Sequence, residues 1–430
     1  MNKYIDSLLR FMDSSVCNFL AIDTIKKELI ANGFSEKSLS KAIHCKKGNK
    51  FFVTKNDSAI FAVKVGSRPV NETGFKIITA HSDSPCFRIK PNPEMLSNDG
   101  LVRLNTEVYG GPILYTWFDR PLSLAGRVIL RGESALKPET RLLKIDNPIL
   151  MIPHLAIHFN RAVNEGNHLS KQKDMLPILA RISQELSVNN LLLKYIAKQL
   201  KVEVKDILDF DLFLYNTEKA CLTGLNNEFV MSGRLDDLSM AHAAITAIIE
   251  AEDDDATCVS AIFDNEETGS GTKQGAHSPV LSNLLRRVAA CQGVDFEEFC
   301  QAVNKSFLIS ADNAHAFHPN YPEKYDPTNH PALGGGPAIK INANCKYMTD
   351  AHSAAVFKSL CDDAGSPCQY FVNHSDVAGG STLGNIFTGQ LDIEGVDVGN
   401  PLLAMHSVCE TGSVDDHINM IKVFKRFFSR

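Results

Sequence analysis

The chain has 430 residues, 44% hydrophobic and 22% charged, with a formal net charge of -6. That length exceeds one ordinary core and the composition is globular, so two domains or one large domain with an insertion are expected, and disordered and fibrous classes are excluded. The mild acidity, with no basic block standing out, argues against nucleic acid as a partner.

The start, Met1 to Leu20, is interrupted by Lys3, Asp6, Arg10 and Asp13 and lacks the apolar region of a secretory signal. Nowhere do about 18 apolar residues run without a charge, so no membrane partner is expected and the location is read as cytoplasmic. Eleven cysteines occur without a C-x-x-C pair. Cys45, Cys258, Cys345 and Cys361 lie in or beside apolar runs and are expected to be reduced, buried packing residues.

In chain order, Ile5, Leu8, Leu9 and Met12, then Ile25, Leu29 and Ile30, recur three and four apart and predict two helices, the second ended by Asn32-Gly33. Ala59 to Val65 and Phe75 to Ala80 predict strands, the second ending in His81-Ser82-Asp83-Ser84-Pro85. A His at a strand tip with an Asp two residues on suits an imidazole turned to a metal and oriented from behind. A capped turn with a surface His is the plain alternative.

From about Cys86 to about Leu225 the texture is mostly β. Short strands are expected at Thr116-Trp117-Phe118-Asp119-Arg120, Leu122 to Leu130, Leu142 to Ile145 and Asp209 to Tyr215, with helices at Met175 to Leu186 and Asn190 to Leu200. This is expected to be an inserted β-rich domain, 88–225, within a discontinuous α/β domain made of 1–87 and 226–430. The segment Ile152 to His158 brings His154 and His158, which by themselves read as ordinary polar residues beside a strand.

Beyond Phe229 the α/β texture resumes. Asp236 and Asp237 precede the helical pattern Leu238 to Glu250, where an Asp most often caps. A buried strand, Cys258 to Phe263, leads into Asp264-Asn265-Glu266-Glu267 and a break at Gly269-Ser270-Gly271. Helices are expected at Val280 to Cys291 and Phe296 to Val303, and a strand at Ser306 to Ser310 delivers Asp312. Strands at Pro337 to Ile341, bearing Lys340, at Gln369 to Val372 and at Gly395 to Val398, and helices at Ala351 to Asp362 and Val414 to Phe428, complete the pattern. The loop Asp376 to Gly384, with Gly380, Ser381 and Thr382, has the glycines and hydroxyls of an anion cradle.

His81, Asp236, Glu267, Asp312 and His406 thus stand at loop ends of one repeating α/β unit, where an open sheet places its sites. Two imidazoles and three carboxylates are too many for one tetrahedral zinc but suit two ions if one carboxylate bridges. Glu266, beside a ligand, is placed to take a proton from water, so the pattern points to hydrolysis.

The motifs His81 to Pro85, Tyr109-Gly110-Gly111, Thr116 to Arg120, Ile152 to His158, Arg234-Leu235-Asp236, Asp264 to Glu267, Ile309 to His315 with His318 to Tyr321, and Ala404-Met405-His406-Ser407 together resemble the aspartyl aminopeptidases, the M18 family, in its bacterial branch. The resemblance implies a dinuclear zinc exopeptidase, with cobalt or manganese as alternatives. Its implied fold is an α/β catalytic domain, a mixed sheet flanked by helices, plus an inserted β-rich dimerisation domain, and its assembly a dimer-based dodecamer. It implies His81, Asp236, Glu267, Asp312 and His406 as metal ligands, with Asp236 bridging, Glu266 as general base and Asp83 behind the first His. It also implies that His158 reaches a neighbouring subunit's site, that Lys340 receives an acidic first side chain, and that Gly380, Ser381 and Thr382 lie near the peptide. Thr268, where Val is common, and Ser381, in place of Thr, depart from the family pattern, and Lys346 to Ser353 and Asp376 to Gly379 differ from its eukaryotic members. The expected activity is removal of N-terminal Asp or Glu from peptides. The alternatives are a di-metal carboxypeptidase or deacylase on the same scaffold, and a catalytically silent assembly protein.

Overall fold

The computed structural model describes residues 2–182 and 190–429. The chain divides into two compact units, the first made of Met1–Asp83, Ala220–Met405 and Glu410–Arg430, the second of Ser84–Lys219 and His406–Cys409. Among the described residues no helix is long and apolar enough to cross a membrane.

In the first unit, nine strands among the described residues form one mixed sheet in the order Ser35–Glu36, Lys50–Lys55, Ala59–Lys64, Thr257–Phe263, Phe75–His81, Phe307–Ala311, Glu394–Gly399, Ala338–Ile341 and Gln369–Val372. The central four run parallel. Strands covered on both faces need apolar side chains on both, and Thr257–Phe263 (TCVSAIF) is buried at every position. One face packs on the helices Lys3–Ser14, Asn18–Ala31, Leu235–Glu250, Ala351–Ala364 and Val414–Phe428. The other packs on Val280–Cys291 and Phe296–Asn304. The last helix has Asp415 and Asp416 in its first turn and Lys425 and Arg426 in its last, each sign against the favourable end of the helix dipole. A smaller sheet joins Cys221–Thr223, Phe229–Ser232, Glu410–Ser413, Pro401–Leu403 and Ala314–His315.

The second unit is an antiparallel sheet, in the order Lys137–Lys144, Leu122–Ser134, Ile207–Asn216, Cys86–Leu96, Leu101–Tyr109 and Ile178–Arg181, with the helix Leu191–Leu200. Trp117 meets Phe87 edge-on in its core, ring centroids 5.0 Å apart.

Several expectations are corrected. Thr116 to Arg120 is not a strand: Leu114–Trp117 is a 3-10 turn, closed by Thr116 N–H donating to Ile113 O at 3.1 Å, and Asp119 has a φ of 59° that no strand residue adopts. Met175 to Leu186 is not a helix over its described part, because Pro177 interrupts the helical ladder and Ile178–Arg181 pairs with Leu101–Arg103 instead; 183–189 lie outside the described residues. The long hairpin Cys86–Tyr109 was hidden by Pro91 and Pro93, which the structure accommodates at an irregularity between Ile89 and Glu94. All eleven cysteines are free, and Cys45, Cys258 and Cys361 are buried, but Cys345 is exposed in a loop, at a φ of 54°.

Candidate metal centre

The carboxyl ends of the central strands deliver the site. Phe263 and His81 are register partners, so the acidic turn after one strand and the His81 segment after the other begin side by side. Asp312 follows the next strand, Phe307–Ala311. Asp236 and Asp237 stand at the start of their helix with non-helical backbone and a cis peptide bond between them, and the Asp237 carboxylate is taken by His81 and Asn313.

These segments bring His81, Asp236, Asp237 and Asp312 together, one ligand atom from each lying within 4.8 Å of the others, and all four are buried. His81, Glu266 and Glu267 form a second such group. The His81 ring is fixed from behind: Nδ1 lies 3.0 Å from the backbone oxygen of Asp83 and 3.4 Å from its carboxylate. Its Nε2 is 3.9 Å from Asp236 Oδ1.

Asp83, 2% exposed, has a second task. Its Oδ1 accepts the Glu266 N–H and its Oδ2 the Glu267 N–H, both at 3.1 Å. One carboxylate therefore sets both the imidazole and the turn that presents the two glutamates. Asp264, behind that turn, accepts both amide hydrogens of Asn18 at 3.1 Å.

Three supporting residues were given no part in the site by the sequence, Asp237 having been read only as a helix cap. Asp237 accepts the His81 N–H at 3.0 Å through one oxygen and Asn313 Nδ2 at 3.1 Å through the other. Asn313 also donates to Leu235 O at 2.9 Å, tying the loop after Asp312 to the start of the Asp236 helix. Glu410 accepts the Asp236 N–H at 3.0 Å. Asp237 and Asn313 adjoin Asp236 and Asp312, so adjacency was the available signal; Glu410 had none.

Lys340 is 3% exposed, with its ammonium 3.2 Å from Asp312 Oδ1 and 5.8 Å from the Tyr347 ring centroid. Thr382 is buried and donates to Asp397 Oδ1 at 2.5 Å, while Asp397 Oδ2 accepts the Met348 N–H at 2.7 Å. Gly384 is required there, since a Cβ would stand 2.4 Å from the Asp397 carboxylate. Gly380 and Ser381 are exposed. A cavity of about 440 Å³ opens beside Glu266, lined by His277, Ser381, Thr382 and Asn385 among others.

His406 and His158 belong to the second unit. His406 has a φ of 68°, its Nδ1 lies 3.1 Å from Gly111 O, and its carbonyl accepts the Ile113 N–H at 2.9 Å. His158 is exposed on a 3-10 turn, Ile157–Phe159, among Leu155, Ile157 and Phe159, themselves 57%, 52% and 81% exposed.

The electrostatics suit the first unit's cluster to a cation. Burial pushes Glu266 up to about 9, with Asp312, Glu267 and Asp83 adding to it against His81. Burial and then Asp83 push Asp264 up to about 7. Burial acts to lower His81, but Asp237 and Asp83 outweigh it and hold the ring well above its ordinary value. Buried carboxylates that resist ionisation beside one another are stabilised by a cation, and an imidazole with several carboxylates is a donor set that zinc accepts. The residues therefore fit a zinc site.

The family "Aminopeptidase I zinc metalloprotease (M18)" matches residues 11–428. A "Probable M18 family aminopeptidase 2" of Clostridium novyi is 54% identical over 427 residues, covering 99% of either chain. The structure of Ape4 in its complex with Nbr1 is similar at a TM-score of 0.94 and 34% identity, over 99% of this chain and 85% of that one. The S. cerevisiae mApe1 dodecamer gives 0.86 and 24%, over 99% and 96%. By sequence along almost its whole length, and by fold, the chain belongs to the M18 family of zinc metallo-aminopeptidases.

Proposed function

We propose that the chain removes single residues from the amino ends of peptides, preferring Asp or Glu, with two zinc ions held by His81, Asp236, Glu267, Asp312 and His406 and with Asp236 shared between them. The observation that carries this reading is the buried cluster of His81, Asp236 and Asp312 beside a glutamate pair whose turn is clamped by Asp83. Zinc bound there supplies Lewis-acid activation of water and of the scissile carbonyl. The chain's residues do the rest. Glu266 accepts the proton of the attacking water and returns it to the departing amine, a role that its place beside Glu267 on the turn clamped by Asp83 suits. Asp83 keeps Glu266 and His81 in fixed relation, so the base does not have to be reorganised during the reaction.

Lys340 is the residue for an acidic first side chain. Burial acts to lower its pKa, but Asp312, with Tyr347 and Asp397, raises it, so the ammonium stays charged. His158, on an exposed apolar turn, suits delivery to a second copy's site in a dimer-based dodecamer.

The test is Glu266→Gln. It is expected to retain zinc while kcat falls about 100- to 10,000-fold, the range of general-base catalysis. Chelation should abolish wild-type turnover. Unchanged kcat in the variant overturns the role of Glu266. Equal turnover of Asp- and Leu-anilides overturns the acidic preference, and faster hydrolysis of N-acylated amino acids favours a deacylase.

A further inference from the structure

The charge balance of the whole chain hides a local extreme. From Lys37 to Lys55 there are six lysines and one histidine and no acid, in a chain of net charge -6. The reading of the sequence as lacking a basic block is corrected by where these residues lie. Lys37, Ser38, Ser40, Lys41, Thr54 and Lys55 line an open cavity of about 660 Å³.

The loop around this cavity is built, not loose. Arg287 Nη1 donates to Leu39 O at 2.9 Å and its other nitrogen to Lys41 O, while Lys37 Nζ donates to His44 O. Ile43 and Cys45 are buried in the core beneath the sheet. Three loop carbonyls are thus tied back and the Ser38 and Ser40 hydroxyls bond one another at 2.8 Å, so the cations left for a guest are those of Lys41 and Lys55. The acid at its edge, Glu36, is paired with Lys26 at 2.7 Å. Lys41 and Lys55 form no ion pair among the described residues.

Position on the sheet gives the cavity a meaning. Thr54 pairs with Ile60, Ile60 with Ile262, and Ile262 with Ala80, so one line crosses four strands from the cavity to the residue before His81. Lys50–Lys55 runs in the same direction as Phe75–His81, so Lys55 and the loop after Glu36 open on the same carboxyl rim as His81 and Glu266. Three strand spacings are about 14 Å, which an extended peptide spans in four to five residues at about 3.3 Å each.

We infer that this basic cradle binds acidic side chains of the peptide substrate itself, about four to six residues downstream of the amino end held at the metal centre. The inference rests on the aminopeptidase reading above and deepens it: the favoured substrates are peptides acidic beyond their first residue. The pairs it makes are exposed, so each adds little and salt weakens them.

The test compares two peptides with the same first three residues, Asp-Ala-Ala, one continued by three Glu and the other by three Gln. The wild-type ratio of kcat/KM, acidic over neutral, is expected to be about fivefold at low salt, the effect of two or so exposed ion pairs. It should fall toward one in the double variant Lys41→Gln/Lys55→Gln and at high salt. A wild-type ratio of one, or a ratio unchanged in the variant, overturns the cradle. In parallel, a fluorescent N-acetylated hexaglutamate, which no aminopeptidase can trim, should bind the wild type more tightly than the variant by anisotropy. Equal binding overturns the cradle whether or not the chain is a peptidase, and displacement by low-millimolar inorganic phosphate would overturn it in favour of a simple anion site.

Discussion

Two buried histidines on the same unit, His81 and His242, are each 1% exposed yet are driven in opposite directions. His81 sits among Asp83, Asp236 and Asp237 and is held well above its ordinary pKa. His242 lies where three helices meet: Nδ1 is 3.0 Å from His417 Nε2, Nε2 is 3.0 Å from Ser7 Oγ, and the Phe11 ring lies tilted against it, centroids 5.5 Å apart. Burial, with Arg10 adding, lowers it to about 3, and burial and then His242 lower His417 well below its usual value. Burial is common to both regions; the neighbours decide. Carboxylates make the first a place for cations, whereas the second can hold only neutral rings.

The sharpest way to break this contrast is to remove each histidine. His81→Ala should lower zinc content and take activity below detection, because a ligand is lost from the cluster. Zinc analysis and kcat/KM read both effects. His81→Ala with full zinc and full rate would dissolve the distinction.

Asp83→Asn is the next largest. An amide keeps one acceptor oxygen for two N–H groups and presents an NH₂ to the other, so the glutamate turn loosens and His81 loses its orienting charge. Zinc affinity or activity should fall roughly 10- to 100-fold, the usual effect of removing a partner behind a ligand. Competition with a chromogenic chelator measures it.

The neutral pair predicts acid sensitivity. A histidine whose folded pKa is depressed contributes stability that is complete above its unfolded value and is lost as pH falls, since the unfolded chain takes up a proton that the fold refuses. For His242 the window runs from about 6.5 down to about 3. Each such ring should remove about 1.4 kcal/mol per pH unit well inside the window. The stability difference between the wild type and His242→Gln, read by urea denaturation at several pH values, tests this, because the buried carboxylates titrate in both, and a difference that stays flat from pH 6 to 4 contradicts it.

The smallest effect sharpens the contrast from the other side. His242→Gln, which keeps a donor and an acceptor, should cost about 1 kcal/mol of stability at pH 7.5. It should leave zinc content unaltered and make the acid dependence shallower. Loss of zinc in this variant would show that the two regions are coupled.

Much of the central unit was legible because its elements are long and strongly patterned. The helices Val280–Cys291 and Val414–Phe428 and the strand Gln369–Val372 lie where the apolar periodicity puts them. Cys86–Tyr109 was not legible, since its prolines read as breaks while the ladder simply skips them. In the site, His81, Asp236 and Asp312 were visible as isolated polar residues ending apolar strands or opening a helix. Asp237, Asn313 and Glu410 were not, because their importance lies in backbone N–H groups and loop ties brought near only by folding. The basic cradle escaped for a related reason: whole-chain charge averages over residues that the sheet edge gathers on one rim.

Diffraction from crystals of the zinc-loaded protein, recorded on both sides of the zinc edge, tests the central claim most directly. The account predicts two anomalous peaks per chain, one beside His81 Nε2 and one beside His406, with Asp236 between them and Glu266 close by but uncoordinated. A single peak, or peaks away from the rim formed by His81, Asp236 and Asp312, would contradict it.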